Sequence, residues 1–179
     1  MAEAFSNKLA RAVGVVNSST GGSIGITTNL ITGISTTGVT VADLVDTGNY
    51  IAGTKVSSIG AGQVVVDRDS VNTSSATSQT VKFMTPTTLY SSPNGVKTIL
   101  IGGTFSNNTN GQVGLTIEVA DTSAGIDVAI ASKIPVPAGS SFVISDTGKT
   151  LLESEDAIKV YCDTANGVDI NISVLTGVN

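Results

Sequence analysis

The chain has no histidine, no tryptophan and a single cysteine among its 179 residues. Without histidine there is no Ser-His-Asp triad, no Cys-His pair and no histidine-ligated metal. One cysteine cannot form an internal disulfide, so no covalent framework supports the fold. Charged residues make up only 13%, where soluble domains average about a quarter. The surface must therefore be built from hydroxyls and amides. Aromatic residues are 4%, too few for the stacked rings of a typical sugar-binding groove. The net charge of −5 and a pI near 4.4 exclude an electrostatic nucleic-acid footprint. No stretch approaches the roughly 18 apolar residues of a membrane span. The opening MAEAFSNKLARAVGVV carries Lys8 and Arg11 but no uninterrupted apolar core, so it does not read as a secretory signal. The expectation is a protein made and folded in a cytoplasm.

What is present points to strands. Ser (21), Thr (24) and Gly (20) exceed a third of the chain, and Val (22) and Ile (16) dominate the apolar set. Two-residue alternation is the clearest period. In Gln112–Ala120, Val113, Leu115, Ile117 and Val119 share one face. Val168, Ile170, Ile172 and Val174 repeat the pattern, and Ile126, Val128 and Ile130 alternate with Asp127 and Ala129. Such segments predict half-buried strands with one wet face. Asn166-Gly167 predicts a hairpin joining Ala157–Asp163 to Val168–Leu175, while Asn110-Gly111 and Asn94-Gly95 mark further turns. With Thr87–Tyr90, Val96–Phe105 and Ser141–Ser145, about seven strands fall between Thr85 and Asn179, as a sandwich or jelly roll requires. Cys162 alternates with Ile158 and Val160, which predicts a buried thiol packing as a small hydrophobe.

The first half has shorter runs: Leu30–Ile34, Val39–Val45, Thr54–Ile59, Gln63–Asp67 and Thr80–Phe83, with a tight reversal at Gly60-Ala61-Gly62. Asn72–Gln79 is polar and low in complexity and reads as a loop. Helix is admissible only at Glu3–Val13, where an ordered arm is the alternative, and at Val41–Val45. The fold class expected is all-β: an antiparallel sandwich or jelly-roll-like domain with a smaller inserted β-module.

Two stretches carry a resemblance. Residues 33–39 and 51–60 are similar to small β-modules of phage virion proteins and microbial surface proteins. Residues 87–93 (TTLYSSP), 96–104 (VKTILIGGT), 113–119, 135–141 (PVPAGSS), Leu151-Leu152-Glu153 with Asp156, and 168–175 together resemble small β-sandwich structural proteins of marine tailed phages of the cyanophage type. The likeness runs over much of residues 84–179 and over residues 1–18. In that family a segment like Phe5–Gly14 runs almost directly into the Thr-Leu-Tyr strand. The resemblance therefore implies that residues 21–83 are an insertion and that residues 1–20 belong with residues 84–179.

The carboxylates are the only plausible catalytic groups in the chain. Glu153, Glu155 and Asp156 cluster before a strand and read as a solvated turn rather than an acid/base pair. Asp43, Asp46, Asp67 and Asp69 offer oxygens, and Asp121 and Asp127 flank a turn, but none has calcium-loop spacing. Asn107–Gly111 comes nearest and has no carboxylate. Gly60-Ala61-Gly62 has no following helix with which to cradle phosphate. Lys8, Arg11, Lys55 and Arg68 are too scattered for a basic patch. Asn-x-Ser/Thr sites at Asn17, Asn72, Asn107 and Asn171 are expected by chance in a chain so rich in hydroxyls.

The sequence thus assigns no catalytic, cofactor-binding or metal-binding residue and expects no enzyme, no cofactor, no nucleic-acid partner and no membrane partner. It expects a virion structural protein that self-associates as a homo-oligomer and docks on other virion proteins, foremost as capsid decoration or cement. A neck, tail or fibre position is the alternative placement. A carbohydrate- or cell-surface-binding module is the alternative from another class. The N-terminal arm, Met1–Val16, is the segment expected to exchange with or clamp a neighbour.

Overall fold

The computed structural model describes residues 3–144 and 149–178, and it is all-β. Two compact units emerge, one formed by residues 1–14 and 87–179 and the other by residues 15–86.

The larger unit begins with β1 (Ala4–Val13) and continues with β8 (Thr87–Ser91), β9 (Lys97–Asn107), β10 (Val113–Asp121), β11 (Ile126–Val136), β12 (Ser141–Ile144), β13 (Thr150–Leu152), β14 (Ala157–Cys162) and β15 (Val168–Val178). One sheet runs β1-β15-β9-β12, with β13 also on β9; the other runs β11-β10-β14-β8. β12 and β13 lie along successive parts of the same flank of β9 and act as one interrupted strand. Counted in chain order within this unit, the sheets read first-eighth-third-sixth and second-seventh-fourth-fifth. That is the order of a jelly roll, an eight-stranded double sheet. Its core takes the inward residues of both sheets: Leu100, Phe105, Ile170, Ile172 and Val174 from one, and Val113, Leu115, Ile117, Ile158 and Val160 from the other. Cys162 lies in this core, fully buried, as alternation predicts.

The smaller unit is a six-stranded antiparallel sheet of order β4-β7-β2-β3-β6-β5. Its strands are β2 (Val15–Ile24), β3 (Leu30–Thr32), β4 (Leu44–Asp46), β5 (Val56–Gly60), β6 (Gln63–Val66) and β7 (Ala76–Thr85). Its core joins sheet residues such as Ile24, Ile31, Val64, Val81 and Phe83 to Ile34, Val39 and Tyr50 from the long connections. The Tyr50 hydroxyl donates to the Thr28 carbonyl at 3.1 Å. Gly60-Ala61-Gly62 makes the β5–β6 turn that its glycines predict, with Gly60 facing Gln63 and Gly62 at φ +69°.

Several expectations are corrected. Glu3–Val13 is no helix: residues 4–13 are a strand paired with β15, because a ladder to a packed neighbour outweighs the helix propensity of its alanines. The seam also lies earlier than residue 20. Residues 15–20 belong to β2 and pair with β7 in the smaller unit. Val41 is no part of a helix or strand, and the run Val39–Val45 contracts to Leu44–Asp46. The polar stretch 72–79 is loop only to Ser75, since β7 starts at Ala76. Asn166-Gly167 does not close a two-stranded hairpin. It carries the chain from one sheet to the other, because the apolar faces of β14 and β15 meet across the core rather than side by side. Ile126, Val128 and Ile130 are exposed, not half-buried, because they lie on β11, an edge strand that the core covers only from Ala131 onward. Met1, Ala2, Ser145 and Asn179, which fall within sequence-predicted segments, lie outside the described residues.

Candidate interaction face of the sandwich

The carboxylates singled out in the sequence are mostly engaged as backbone acceptors. Asp156 is buried, not solvated as the sequence suggests. Its Oδ1 accepts from the Thr122 amide at 3.0 Å and its Oδ2 from the Glu153 amide at 2.9 Å. This clasp holds the 153–156 turn to the β10–β11 loop. Glu153 remains at the surface and forms a long ion pair with Lys97 at 3.7 Å. Glu155 has φ +68°, and its amide donates to the Ser92 carbonyl. The structure therefore brings Glu153, Glu155 and Asp156 together to shape a turn.

The remaining oxygens are dispersed. Asp43 is fully buried and accepts from both the amide and the hydroxyl of Thr40. Asp67 accepts from the Lys55 amide at 2.8 Å and stands 4.0 Å from Arg68. Asp121 accepts from the Ala124 amide and the Ser123 hydroxyl, and these hydrogen bonds hold its carboxyl below the usual carboxylate range. Asp127 pairs with Lys159 at 3.2 Å. Among the described residues, no three His, Cys, Asp or Glu side chains gather as a metal site. Asn107 organises its own loop: Nδ2 donates to the carbonyls of Gly111 and Val136, and Oδ1 accepts from Thr109.

The outer face of the β1-β15-β9-β12/β13 sheet is different. Register aligns Phe5 with Leu175, Leu175 with Ile99, and Ile99 with Leu151, so four apolar residues form one row across the sheet. Phe5 is 62% exposed and Leu151 48%, with the two between them half-buried. The next row is polar and small, with Asn7, Ser173 and Gly102, and the Ser173 hydroxyl donates to Asn7 Oδ1 at 2.8 Å. A third row aligns Leu9, Asn171, Thr104 and Val143, with Leu9 76% and Val143 56% exposed. This row borders a shallow, open depression of about 550 Å³ whose walls include Leu9, Arg11, Thr104, Ser106, Asp169 and Asn171. Large apolar residues aligned in rows on a wet face mark an interaction surface more often than scattered ones do.

β1 borders this face. It is ten residues long, contains no proline and, among the described residues, is paired only by β15, at the end of its sheet. An unpaired edge leaves a row of backbone donors and acceptors available to another strand. Sequence reasoning marked the N-terminal segment but not this arrangement. The alternation of Phe5, Asn7, Leu9 and Arg11 was the available signal, obscured by alanines that suit a helix equally well. Comparison with known proteins finds no matching family model, no matching curated protein and no matching solved structure.

Proposed function

We propose that the chain is a non-enzymatic structural protein of a tailed-phage virion, acting by self-association and by docking on other particle proteins. The observation that carries the reading is the outer face just described: an exposed apolar row on a jelly-roll sheet, ending in the edge strand β1. A surface low in charge and rich in Val, Ile and Thr is tolerable when copies of itself or a lattice cover it. The jelly roll adds support only by analogy, since viral capsid domains use it and so do lectins and small-molecule enzymes. Within this reading, capsid decoration or cement comes first and a neck, tail or fibre position second.

The test is mass spectrometry of purified particles together with a reconstruction of the virion. Copies spread over the shell support decoration, and a ring at the portal axis moves the protein to the neck or tail. Its absence from particles overturns the proposal. The depression beside Arg11 favours one second reading, a glycan-binding module, because Thr104, Ser106, Asp169 and Asn171 offer the hydroxyl, carboxylate and amide groups that sugars require. Saturable binding of host polysaccharide by the isolated protein would support that reading.

A further inference from the structure

We infer that two copies of this chain join through β1, strand to antiparallel strand, in a register centred on Asn7. The inference deepens the self-association reading above and rests on it. Its basis is a chemical palindrome in the segment Glu3-Ala4-Phe5-Ser6-Asn7-Lys8-Leu9-Ala10-Arg11. When β1 lies antiparallel to itself about Asn7, Glu3 faces Arg11 and Phe5 faces Leu9, and each pair occurs twice. Asn7 meets Asn7 on the dyad, Ala4 meets Ala10, and Ser6 meets Lys8.

The faces agree as well as the residues. Phe5, Asn7 and Leu9 lie opposite Leu175, Ser173 and Asn171 on the outer face of the sheet. A dyad perpendicular to the sheet keeps every one of them on that side. A shift of one residue sets outward residues against inward ones. A slip of two in one direction sets Leu9 against Glu3 and Phe5 against Asn7. The opposite slip puts Lys8 against Lys8 and Phe5 against Arg11. Only the register centred on Asn7 joins charge to opposite charge and apolar to apolar, and such cross-strand pairs are what stabilise a sheet.

The structure leaves these groups available. Glu3, Phe5, Leu9 and Arg11 are all exposed, and neither Glu3 nor Arg11 has an ion-pair partner among the described residues. The regular part of β1 ends after Ala10, where a bulge places Ala12 at φ 55° and its amide donates to Asp169 Oδ1 at 2.7 Å. The two charges therefore flank a segment of unbroken register, Ala4–Ala10, whose free edge matches its own copy. Joining them makes one sheet continuous across both sandwiches, and the apolar row Leu151–Ile99–Leu175–Phe5 then extends onto Leu9 of the second copy.

The test uses the full chain. Sedimentation velocity over a micromolar concentration series reads the dimer, and Asn7→Cys reads the register, since Cys162 is buried and leaves the new thiol as the accessible one. The expected results are a reversible dimer and rapid disulfide crosslinking of Asn7→Cys under mild oxidation, with Ala4→Cys crosslinking far more slowly. Glu3→Arg and Arg11→Glu each set like charges opposite in two places and are expected to weaken the dimer about tenfold or more, while the double exchange E3R/R11E restores it. Each variant is checked by its thermal midpoint, which exposed charges should leave in place. A monomer at every concentration overturns the pairing and removes the solution support for self-association. An oligomer in which Asn7→Cys does not crosslink and Glu3→Arg changes nothing overturns the pairing alone.

Discussion

Asp156 and Thr122 lie 34 positions apart, and the buried carboxylate of the first receives the backbone amide of the second, an exposed residue, at 3.0 Å. The other carboxylate oxygen receives the Glu153 amide, so this one side chain ties two connections at one end of the sandwich. Asp156→Asn keeps one acceptor and turns an NH2 group toward an amide that also donates. The expected cost is on the order of 1–3 kcal/mol of stability, read from denaturant midpoints. Glu153→Gln, at the exposed ion pair with Lys97, should change stability by less than about 0.5 kcal/mol. Equal effects from the two would show that the clasp does not hold the turn.

Tyr50 gives the smaller unit an alkaline sensitivity. Burial, reinforced by the charge of Asp69, pushes its phenol from 10.0 up to about 12. Below pH 10 the phenol is protonated folded and unfolded, and its full contribution is present. Between about 10 and 12 the unfolded chain releases the proton first, so stability falls as pH rises, by on the order of 2–3 kcal/mol in all. Tyr50→Phe should flatten this loss while costing about 1 kcal/mol at neutral pH through the hydrogen bond to Thr28. Unfolding midpoints of both proteins across the alkaline range decide it. An unchanged slope in the variant assigns the loss to other groups.

Gly14 is required by a close approach. A Cβ at this position would stand 2.3 Å from the Thr164 carbonyl oxygen, and the residue has φ +131°, a conformation that side chains rarely adopt. Gly14→Ala should therefore cost on the order of 2–4 kcal/mol. Gly95 also has positive φ but faces open space, so Gly95→Ala should cost clearly less. The difference in thermal midpoint between the two variants separates backbone conformation from the clash.

The outer apolar row should matter for association rather than folding. Phe5→Ser and Leu151→Ser remove exposed side chains, and each should leave stability within about 0.5 kcal/mol of the parent. If the face is covered by protein in its assembly, the double variant should lose incorporation into particles or oligomers. Full incorporation with an unchanged oligomer would remove the row from the interface.

The parts of this protein legible in its sequence are those where one local pattern decides. Val113, Leu115 and Ile117 alternate against Gly114, Thr116 and Glu118, and that period suffices to announce a strand, but Thr116 and Glu118 are buried as well, so the second face is not the wet one that alternation predicts. Gly60-Ala61-Gly62 announces its turn because few other residues reach that backbone geometry. Where two readings compete locally, tertiary pairing chose. Glu3–Val13 suits a helix by propensity, and only the ladder to β15 makes it a strand. Ile126, Val128 and Ile130 have the same period as a buried strand, yet at the sheet edge little of the sandwich lies over them.

Composition and alternation alone determined an all-β chain without histidine chemistry, because side-chain type and a two-residue period act over a few neighbouring positions. The tertiary structure decided which strands became edges, which apolar faces met, and that Asp156 is a buried clasp rather than a wet turn. Those outcomes depend on contacts between residues far apart in the chain. Only the assembled sheet brings Phe5, Leu175, Ile99 and Leu151 into one row and leaves the palindrome around Asn7 on an open edge.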